Sequence, residues 1–320
     1  MKRTLLLLWI TTTLLNCSSQ EPKLFSKEDN NTLSDSAFYY ERTYTNEEGE
    51  DVLLPEFKYL DSIQISNITY LSDNLKIKGF CITPKKKGKY PVIIYNRGGS
   101  YDFGALTVPM ISNTLGELAN KGYVILCSQY RGNSGSEGQE EFGGNDVNDV
   151  LNLIDVADEI EYADPEKIGM YGWSRGGMMT YIALPQTNRI KAAVVGGAVS
   201  DFRLKERNRP GFTDMIPNYE TNKEAELDRR SAVLWADKFS KEVPILMLHG
   251  TSDWRVKPEQ SLKMALEFEK YRIPYRLIMF EGGDHGINEH RPEVDNQVIR
   301  WFDTYLKNGS SLPNMEYHGQ

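Results

Sequence analysis

The sequence predicts an α/β protein built on a mostly parallel sheet of about eight strands, with helices on both faces. From residue 90 onward, near-continuous apolar runs alternate with segments of helical periodicity, as in a parallel sheet that is buried on both faces. Before residue 90, two β-rich runs flank the turn signal Ser72-Asp73-Asn74, which predicts an antiparallel hairpin. The 320 residues are enough for one large domain with an ample core.

Each strand is predicted from a short apolar run bounded by polar, glycine or proline residues. In chain order, the predicted strands span residues 63–72, 75–82, 90–95, 123–128, 168–171, 190–196, 243–249 and 275–280. Each helix is predicted from apolar residues that recur at helical spacing, as Val150, Ile154 and Ala157 do. The predicted helices span residues 109–120, 146–160, 174–184, 258–271 and 292–306.

Residues 1–16 have the pattern of a signal peptide. Lys2 and Arg3 precede an apolar run, residues 4–15, that is too short to span a bilayer. The segment resembles a bacterial lipoprotein signal, which implies that Cys17 is lipidated and becomes the first mature residue. This interpretation predicts a protein of the bacterial cell envelope, periplasmic or at the cell surface, held to the membrane only by its lipid. A plain secretory signal with an incidental cysteine is the alternative.

The rest of the chain divides into a polar lead, one large domain and a short tail. Residues 17–60 are polar and acidic, and we interpret them as a tether followed by an N-terminal segment that lies on the domain. The large domain spans residues 61–308, and the tail spans 309–320. Residues 200–240 form a charged insertion, which is either a cap over the functional site or a solvated surface excursion.

Composition excludes several classes of function. A formal net charge of −8 argues against nucleic-acid binding, which needs a basic surface. The sequence contains no Cys-x-x-Cys pair and no His/Cys cluster, so we expect neither a metal nor another cofactor.

Cys81 and Cys127 lie in apolar strands and are expected to be buried free thiols, although an oxidising envelope would permit a disulfide between them. Oligomeric state is left open.

The strongest functional motif surrounds Ser174. The run Gly172-Trp173-Ser174-Arg175-Gly176-Gly177 lies between a predicted strand and a predicted helix. This is the G-x-S-x-G pattern of a nucleophile elbow, which exposes the serine hydroxyl at the tip of a sharp turn. Such a motif predicts that an acid and then a histidine follow in chain order.

Asp253 and His285 fulfil that expectation. Asp253 comes shortly after the strand ending at His249, and His285 shortly after the strand ending at residue 280. Carboxyl ends of parallel strands meet at one edge of a sheet, so we expect the three side chains to converge. Asp201 and Asp284 are alternative candidates for the acid that orients the histidine. The alternative for Asp253 is a purely structural role as a turn carboxylate. Among the four histidines, His249 is expected to pack in the interior, and His290 and His318 to be solvated.

We expect the oxyanion hole to use two backbone N–H groups. One belongs to Arg175, the residue after the nucleophile. The other belongs to the loop that begins Arg97-Gly98-Gly99, where paired glycines let the backbone approach a substrate closely. An ordinary glycine turn is the alternative for this loop.

Together these segments resemble the catalytic domain of the prolyl oligopeptidase family (S9) of serine peptidases, which has the α/β-hydrolase fold. The likeness covers about residues 63–307. It rests on the elbow and on Gln129-Tyr130-Arg131-Gly132-Asn133-Ser134-Gly135, His249-Gly250-Thr251-Ser252-Asp253-Trp254-Arg255-Val256 and Gly283-Asp284-His285-Gly286. The resemblance implies acyl transfer through an acyl-enzyme, with Ser174, Asp253 and His285 as the triad.

Two departures from the family pattern affect specificity. Larger members carry a β-propeller that gates access of peptides, and no segment here is long enough to form one. Members often place a tyrosine or histidine before the glycine pair, where this chain has Arg97. We expect Arg97 either to meet an acidic group of the substrate or to pair with a surface carboxylate.

The sequence supports three hypotheses about function. The first is a serine peptidase that cleaves peptide bonds. The second is an esterase that uses the same residues on small or carbohydrate esters, because the fold does not fix the leaving group. The third is a non-catalytic binding protein, against which the complete triad argues.

Overall fold

A nine-stranded sheet forms the centre of the molecule in the computed structural model, which describes residues 22–30 and 42–319. Its strands are β1 Leu24–Asn30, β4 Ile63–Ser72, β5 Leu75–Pro84, β6 Tyr90–Asn96, β7 Val124–Ser128, β8 Ala163–Trp173, β9 Ile190–Gly196, β10 Ile245–Gly250 and β11 Tyr275–Phe280. The remaining strands, β2 Thr43–Thr45 and β3 Asp51–Leu53, pair with each other in a small hairpin.

The sheet order is β1-β4-β5-β7-β6-β8-β9-β10-β11. Strands β6 to β11 pair in parallel, whereas β1, β4 and β5 add to the sheet in antiparallel fashion. The predicted hairpin and the mostly parallel sheet are therefore confirmed. Within the described residues, every strand belongs to this sheet or to the β2–β3 hairpin, so these residues form no β-propeller.

Helices cover both faces of the sheet. They are α1 Val108–Asn120, α2 Val147–Glu159, α3 Arg175–Ala183, α4 Phe202–Asn208, α5 Tyr219–Arg229, α6 Glu259–Tyr271 and α7 Arg291–Phe302. One core cluster joins the sheet to α2, α3 and α6, and a second joins its other face to α1 and α7. Successive residues of β6 alternate between the clusters, with Val92 and Ile94 in the first and Ile93 in the second.

The central sheet has one strand more than the eight predicted from the sequence, and the additional strand is β1. It lies within the segment interpreted as tether and N-terminal segment, and it pairs only with β4. An edge strand with one hydrogen-bonded neighbour does not need an alternating apolar face. The run from Leu24 to Asn30 is mostly polar, so its strand character is invisible to a search for apolar alternation.

The two cysteines do not pair. Cys81 and Cys127 are both free and buried. They lie on neighbouring strands but in different core clusters, on opposite faces of the sheet. Burial raises the pKa of the Cys81 thiol to about 12, which leaves it protonated and unreactive at neutral pH.

The segment 200–240 folds onto the main domain next to the ends of the parallel strands. Helices α4 and α5 lie within it, and Phe202, Met215 and Leu227 enter a third, smaller core cluster. That cluster also contains Val256, from the loop after β10.

The predicted signal peptide, residues 1–16, and Cys17 lie outside the described residues. No helix in the described part of the chain is both long and apolar enough to cross a membrane. Across the same residues, no group of three or more His, Cys, Asp or Glu side chains could hold a metal ion.

Candidate active site

Ser174 forms the turn between β8 and α3. Its backbone has φ 59° and ψ −121°, a strained conformation that non-glycine residues rarely adopt. The Ser174 N–H donates to the Gly196 carbonyl at 2.7 Å, which ties the turn to β9. A Cβ at Gly176 would collide with the carbonyl oxygen of Asn96 at the end of β6. The glycine after Arg175 is therefore required by the close approach of β6 to the elbow.

Asp253 holds His285 in a fixed orientation. Asp253 Oδ2 lies 2.7 Å from His285 Nδ1. The other carboxylate oxygen accepts the N–H groups of Arg255 and Val256, each at 2.9 Å. The side chain thus performs both roles considered for it, partner of the histidine and turn carboxylate. Since a carboxylate accepts at Nδ1, the imidazole carries its proton there and leaves Nε2 free to act as a base.

The pKa of Asp253 is lowered in the folded protein. Burial alone would raise it, but hydrogen bonds from His249 and His285 and the backbone N–H of Val256 outweigh the burial. Asp253 is therefore ionised at every pH at which the histidine can act.

This lowered pKa predicts a pH dependence of folding stability. A depressed carboxyl pKa stabilises the fold fully above the unfolded value of about 3.9, and the stabilisation is lost as pH falls through the folded value. We expect the difference in unfolding free energy between the wild type and Asp253→Asn to be larger at about pH 7 than at about pH 3. Urea denaturation at both pH values measures it, and an unchanged difference would contradict the assignment.

His249 is a second histidine on the same carboxylate. It is fully buried, and its Nε2 lies 3.3 Å from Asp253 Oδ2 and 2.8 Å from the Val256 carbonyl. Its Nδ1 lies 2.6 Å from Ser261 Oγ. Both neighbours of Nε2 are acceptors, so Nε2 carries the proton and donates it to the Val256 carbonyl, with Asp253 Oδ2 as a longer second acceptor. The sequence predicted a packed residue here but not this contact.

We expect His249 to be a positioning residue. His249→Leu removes one donor to an ionised carboxylate, a loss of about 1.5 kcal/mol, and should lower kcat about tenfold with little change in KM. His249→Gln keeps an N–H donor and should recover part of the loss. The tail residue His318, which is exposed, gives the control His318→Ala. Circular dichroism checks that both variants are folded. If His249→Leu and His249→Gln then have equal kcat, His249 contributes to packing and does not position Asp253.

Ser174 and His285 face the same cavity. The indole Nε1–H of Trp173, the residue before the nucleophile, donates to the His285 carbonyl at 2.8 Å. A Cβ at Gly197 would lie 3.2 Å from His285 Nδ1, and its neighbour Gly196 accepts the Ser174 N–H. No direct hydrogen bond joins Ser174 Oγ to His285 within the described residues. Catalytic hydrogen bonds often form only when substrate is bound.

Two loops present backbone N–H groups beside Ser174. Arg175 begins α3, so its N–H has no acceptor within the helix. A Cβ at Gly98 would lie 3.3 Å from Ser174 Cβ. No hydrogen bond from the N–H of Gly98 or Gly99 is found within the described residues, and Gly99 has φ +73°. This geometry can receive an oxyanion that forms on a substrate bound to Ser174.

Both expectations for the side chain of Arg97 are wrong. Arg97 is fully buried, so it neither pairs with a surface carboxylate nor reaches a substrate. Its guanidinium donates to the carbonyls of Gln129 at 3.1 Å and Tyr101 at 3.2 Å, and it lies 5.2 Å from the Tyr130 ring. The buried Arg97 side chain therefore holds the backbone of the glycine loop in place through hydrogen bonds.

The side chain of Arg175 connects the elbow to the same loop. It donates to the Gly99 carbonyl at 3.0 Å and forms buried ion pairs with Glu140 and Asp146. Glu140 also accepts the N–H of Tyr101 at 2.8 Å. Sequence analysis missed both acids, because Glu140 lies in an aperiodic glycine-rich stretch and Asp146 lies at the start of a predicted helix, and neither position carries a local signal of a buried ion pair.

The rival acids have local structural roles. Asp201 caps α4 by accepting the Leu204 N–H at 2.9 Å. Asp284 accepts the Gly286 N–H at 2.8 Å and so points away from the imidazole of its neighbour.

A cavity of about 530 Å³ opens above Ser174. Apolar and aromatic side chains form much of its wall, among them Tyr95, Met110, Leu115, Tyr171, Trp173 and Val199. Lys205, Arg209 and Phe212 of the segment 200–240 also line it. The size suits a small ligand or a few residues of a peptide.

Comparisons with known proteins identify the family of this chain. The model of peptidase family S9, described as the prolyl oligopeptidase family, matches residues 109–309. The uncharacterized peptidase YtmA of Bacillus subtilis is 25% identical over 77% of this chain and 94% of its own length. The uncharacterized peptidase YuxL of the same organism is 29% identical over 73% of this chain, which spans 38% of YuxL.

A solved structure gives the fold. Acylaminoacyl peptidase of Pyrococcus horikoshii superposes with a TM-score of 0.68 at 24% identity, over 83% of this chain and 47% of that protein. The central sheet described above is thus that of an α/β-hydrolase. The family match extends from α1 through the elbow to the end of α7 and covers more than half of the sequence. The chain belongs to the prolyl oligopeptidase family, S9, and is a serine hydrolase.

Proposed function

We propose that this protein is a serine peptidase that cleaves peptide bonds through an acyl-enzyme. The observation that carries the proposal is the 2.7 Å contact between Asp253 and His285 beside a strained serine elbow, at an apolar cavity. The family match and the peptidase names of the two Bacillus relatives support peptides as the substrate class.

In the proposed mechanism, Ser174 Oγ attacks the scissile carbonyl carbon while His285 Nε2 takes the hydroxyl proton. The oxyanion that forms is stabilised by the N–H groups of Arg175 and the Gly98–Gly99 loop. The tetrahedral intermediate collapses when His285 returns the proton to the leaving amine, which departs. A water molecule, deprotonated by the same imidazole, then attacks the acyl carbon; the bond to Ser174 Oγ breaks, and His285 returns the proton to Oγ as the acid product leaves. Asp253 keeps the imidazole oriented and stabilises its protonated form.

Substrate profiling tests the proposal. Purified protein should hydrolyse short peptide amides, and a fluorophosphonate probe should label Ser174. Turnover of acyl esters without any cleavage of amides would make the protein an esterase, because an ester leaving group needs less protonation than an amine. Absence of labelling in folded protein would overturn the catalytic assignment altogether.

We also propose that Cys17 carries a lipid that anchors the protein in the bacterial cell envelope. The support is the sequence pattern of a basic start, an apolar run and a cysteine directly before a polar segment. Expression in a bacterial host with labelled palmitate should give labelled protein in the membrane fraction. Cys17→Ser should abolish the label and release the protein, whereas unlabelled wild-type protein would refute the anchor.

A further inference from the structure

The cavity above Ser174 is lined by positive charge in a protein of net charge −8. Five of its lining residues are basic: Arg175, Lys205, Arg209, Arg255 and Arg291. No aspartate or glutamate lines the cavity within the described part of the chain. A low-dielectric cleft of one sign attracts ligands of the opposite charge.

Three of these cations are neutralised by neighbouring carboxylates. Glu140 and Asp146 pair with Arg175, Glu206 pairs with Lys205, and Asp295 pairs with Arg291. In residues 22–30 and 42–319, neither Arg209 nor Arg255 has a carboxylate within ion-pair distance. The cavity therefore has two uncompensated charges.

Arg209 and Arg255 share one aromatic platform. The Trp254 ring is 61% exposed, and the two guanidinium carbons lie 5.2 and 5.5 Å from its centroid. Stacking on an indole holds a guanidinium in place without using its N–H donors. Arg255 also lies 5.8 Å from the Phe103 ring, which contacts the oxyanion loop. Arg209 follows helix α4 in the segment 200–240.

Placing two like charges around one ring is unfavourable unless an anion lies between or beside them. A guanidinium matches a carboxylate particularly well, because two parallel N–H groups fit its two oxygens. The arginines lie in the wall of the cavity that also contains Ser174, so such an anion would belong to the molecule being cleaved.

We propose that Arg209, together with Arg255, binds a carboxylate of the substrate and makes the enzyme selective for negatively charged peptides. The carboxylate is either an acidic side chain or the free C-terminal carboxylate of a short peptide. This inference rests on the proposed peptidase function and names the substrate class of the same site.

The test compares peptides that differ only in charge. One pair of apolar hexapeptides ends in a free carboxylate or a carboxamide, and a second, amidated set carries Asp or Asn at each successive position. The wild type should show a kcat/KM about tenfold higher for the charged member of at least one pair. The pair that shows the preference identifies the source of the carboxylate.

Variants assign the preference to Arg209. Arg209→Gln should remove most of it, because kcat/KM falls more for the charged member of the pair than for the uncharged one, and Arg209→Lys should keep part of it. Arg207→Gln makes the same charge change at an exposed residue of α4 that does not line the cavity, and it should behave like the wild type. Cleavage of charged and uncharged peptides at equal rates would overturn the inference and leave the peptidase function intact.

A binding assay separates the inference from the proposed function. The charged peptides should protect Ser174 from a fluorophosphonate probe at lower concentration than their amides, and Arg209→Gln should abolish the difference. Protection of this kind without any cleavage would support the carboxylate site while refuting peptidase activity. Equal protection by both members of every pair would refute the site.

Discussion

Replacing Ser174 with alanine should lower kcat by about 10⁵-fold or more and leave the free energy of unfolding unchanged within about 1 kcal/mol. The serine hydroxyl is the only group at the elbow that can form the acyl-enzyme, so residual turnover would come from the oxyanion hole and substrate binding alone. The fold should tolerate the change because alanine is smaller and can take the same φ of 59° with the flanking glycines in place.

Steady-state hydrolysis of a short peptide and urea denaturation measure the two expectations. Ser252→Ala is the matched control, since Ser252 is exposed in the loop that carries Asp253. That control should retain full activity. If Ser174→Ala instead kept a substantial fraction of wild-type turnover, another residue would be the nucleophile.

Apolar patterning explains why so much of the fold could be predicted. The six parallel strands contain mostly apolar runs with recognisable ends, and the hairpin β4–β5 shows apolar residues interspersed with polar ones on either side of a turn. Chain order then places the residues after β8, β10 and β11 at one edge of the sheet. That rule brings Asp253 and His285 together although they are 32 residues apart in sequence.

Buried polar interactions could not be predicted in the same way. Arg97 and Arg175 look like surface residues in the sequence, but both are buried and make ion pairs or hydrogen bonds with distant segments. The carboxylates that pair with Arg175 are Glu140, in a loop without periodicity, and Asp146, at the start of a helix. These charges can be buried only because the fold brings that loop against the elbow, where they pair. No local sequence pattern predicts that the two segments meet.

Arg175→Met should lower the free energy of unfolding by about 3–5 kcal/mol. The guanidinium is 2% exposed, and its partners Glu140 and Asp146 are 1% and 0% exposed. Methionine fills much of the volume but leaves two carboxylates buried without a counter-charge. It also removes the donor to the Gly99 carbonyl, so we expect kcat to fall in the molecules that remain folded.

A comparison of variants separates loss of charge compensation from loss of packing. Arg189→Met breaks an ion pair with Asp158 in which the side chains are 34% and 45% exposed, and it should cost less than about 1 kcal/mol. Adding Glu140→Gln and Asp146→Asn to Arg175→Met removes the orphaned charges, so the triple variant should be more stable than the single one. Urea denaturation of all three proteins gives the values. A triple variant less stable than Arg175→Met would mean that the guanidinium acts mainly through its contacts with Gly99, Tyr130 and Phe142 and not through charge.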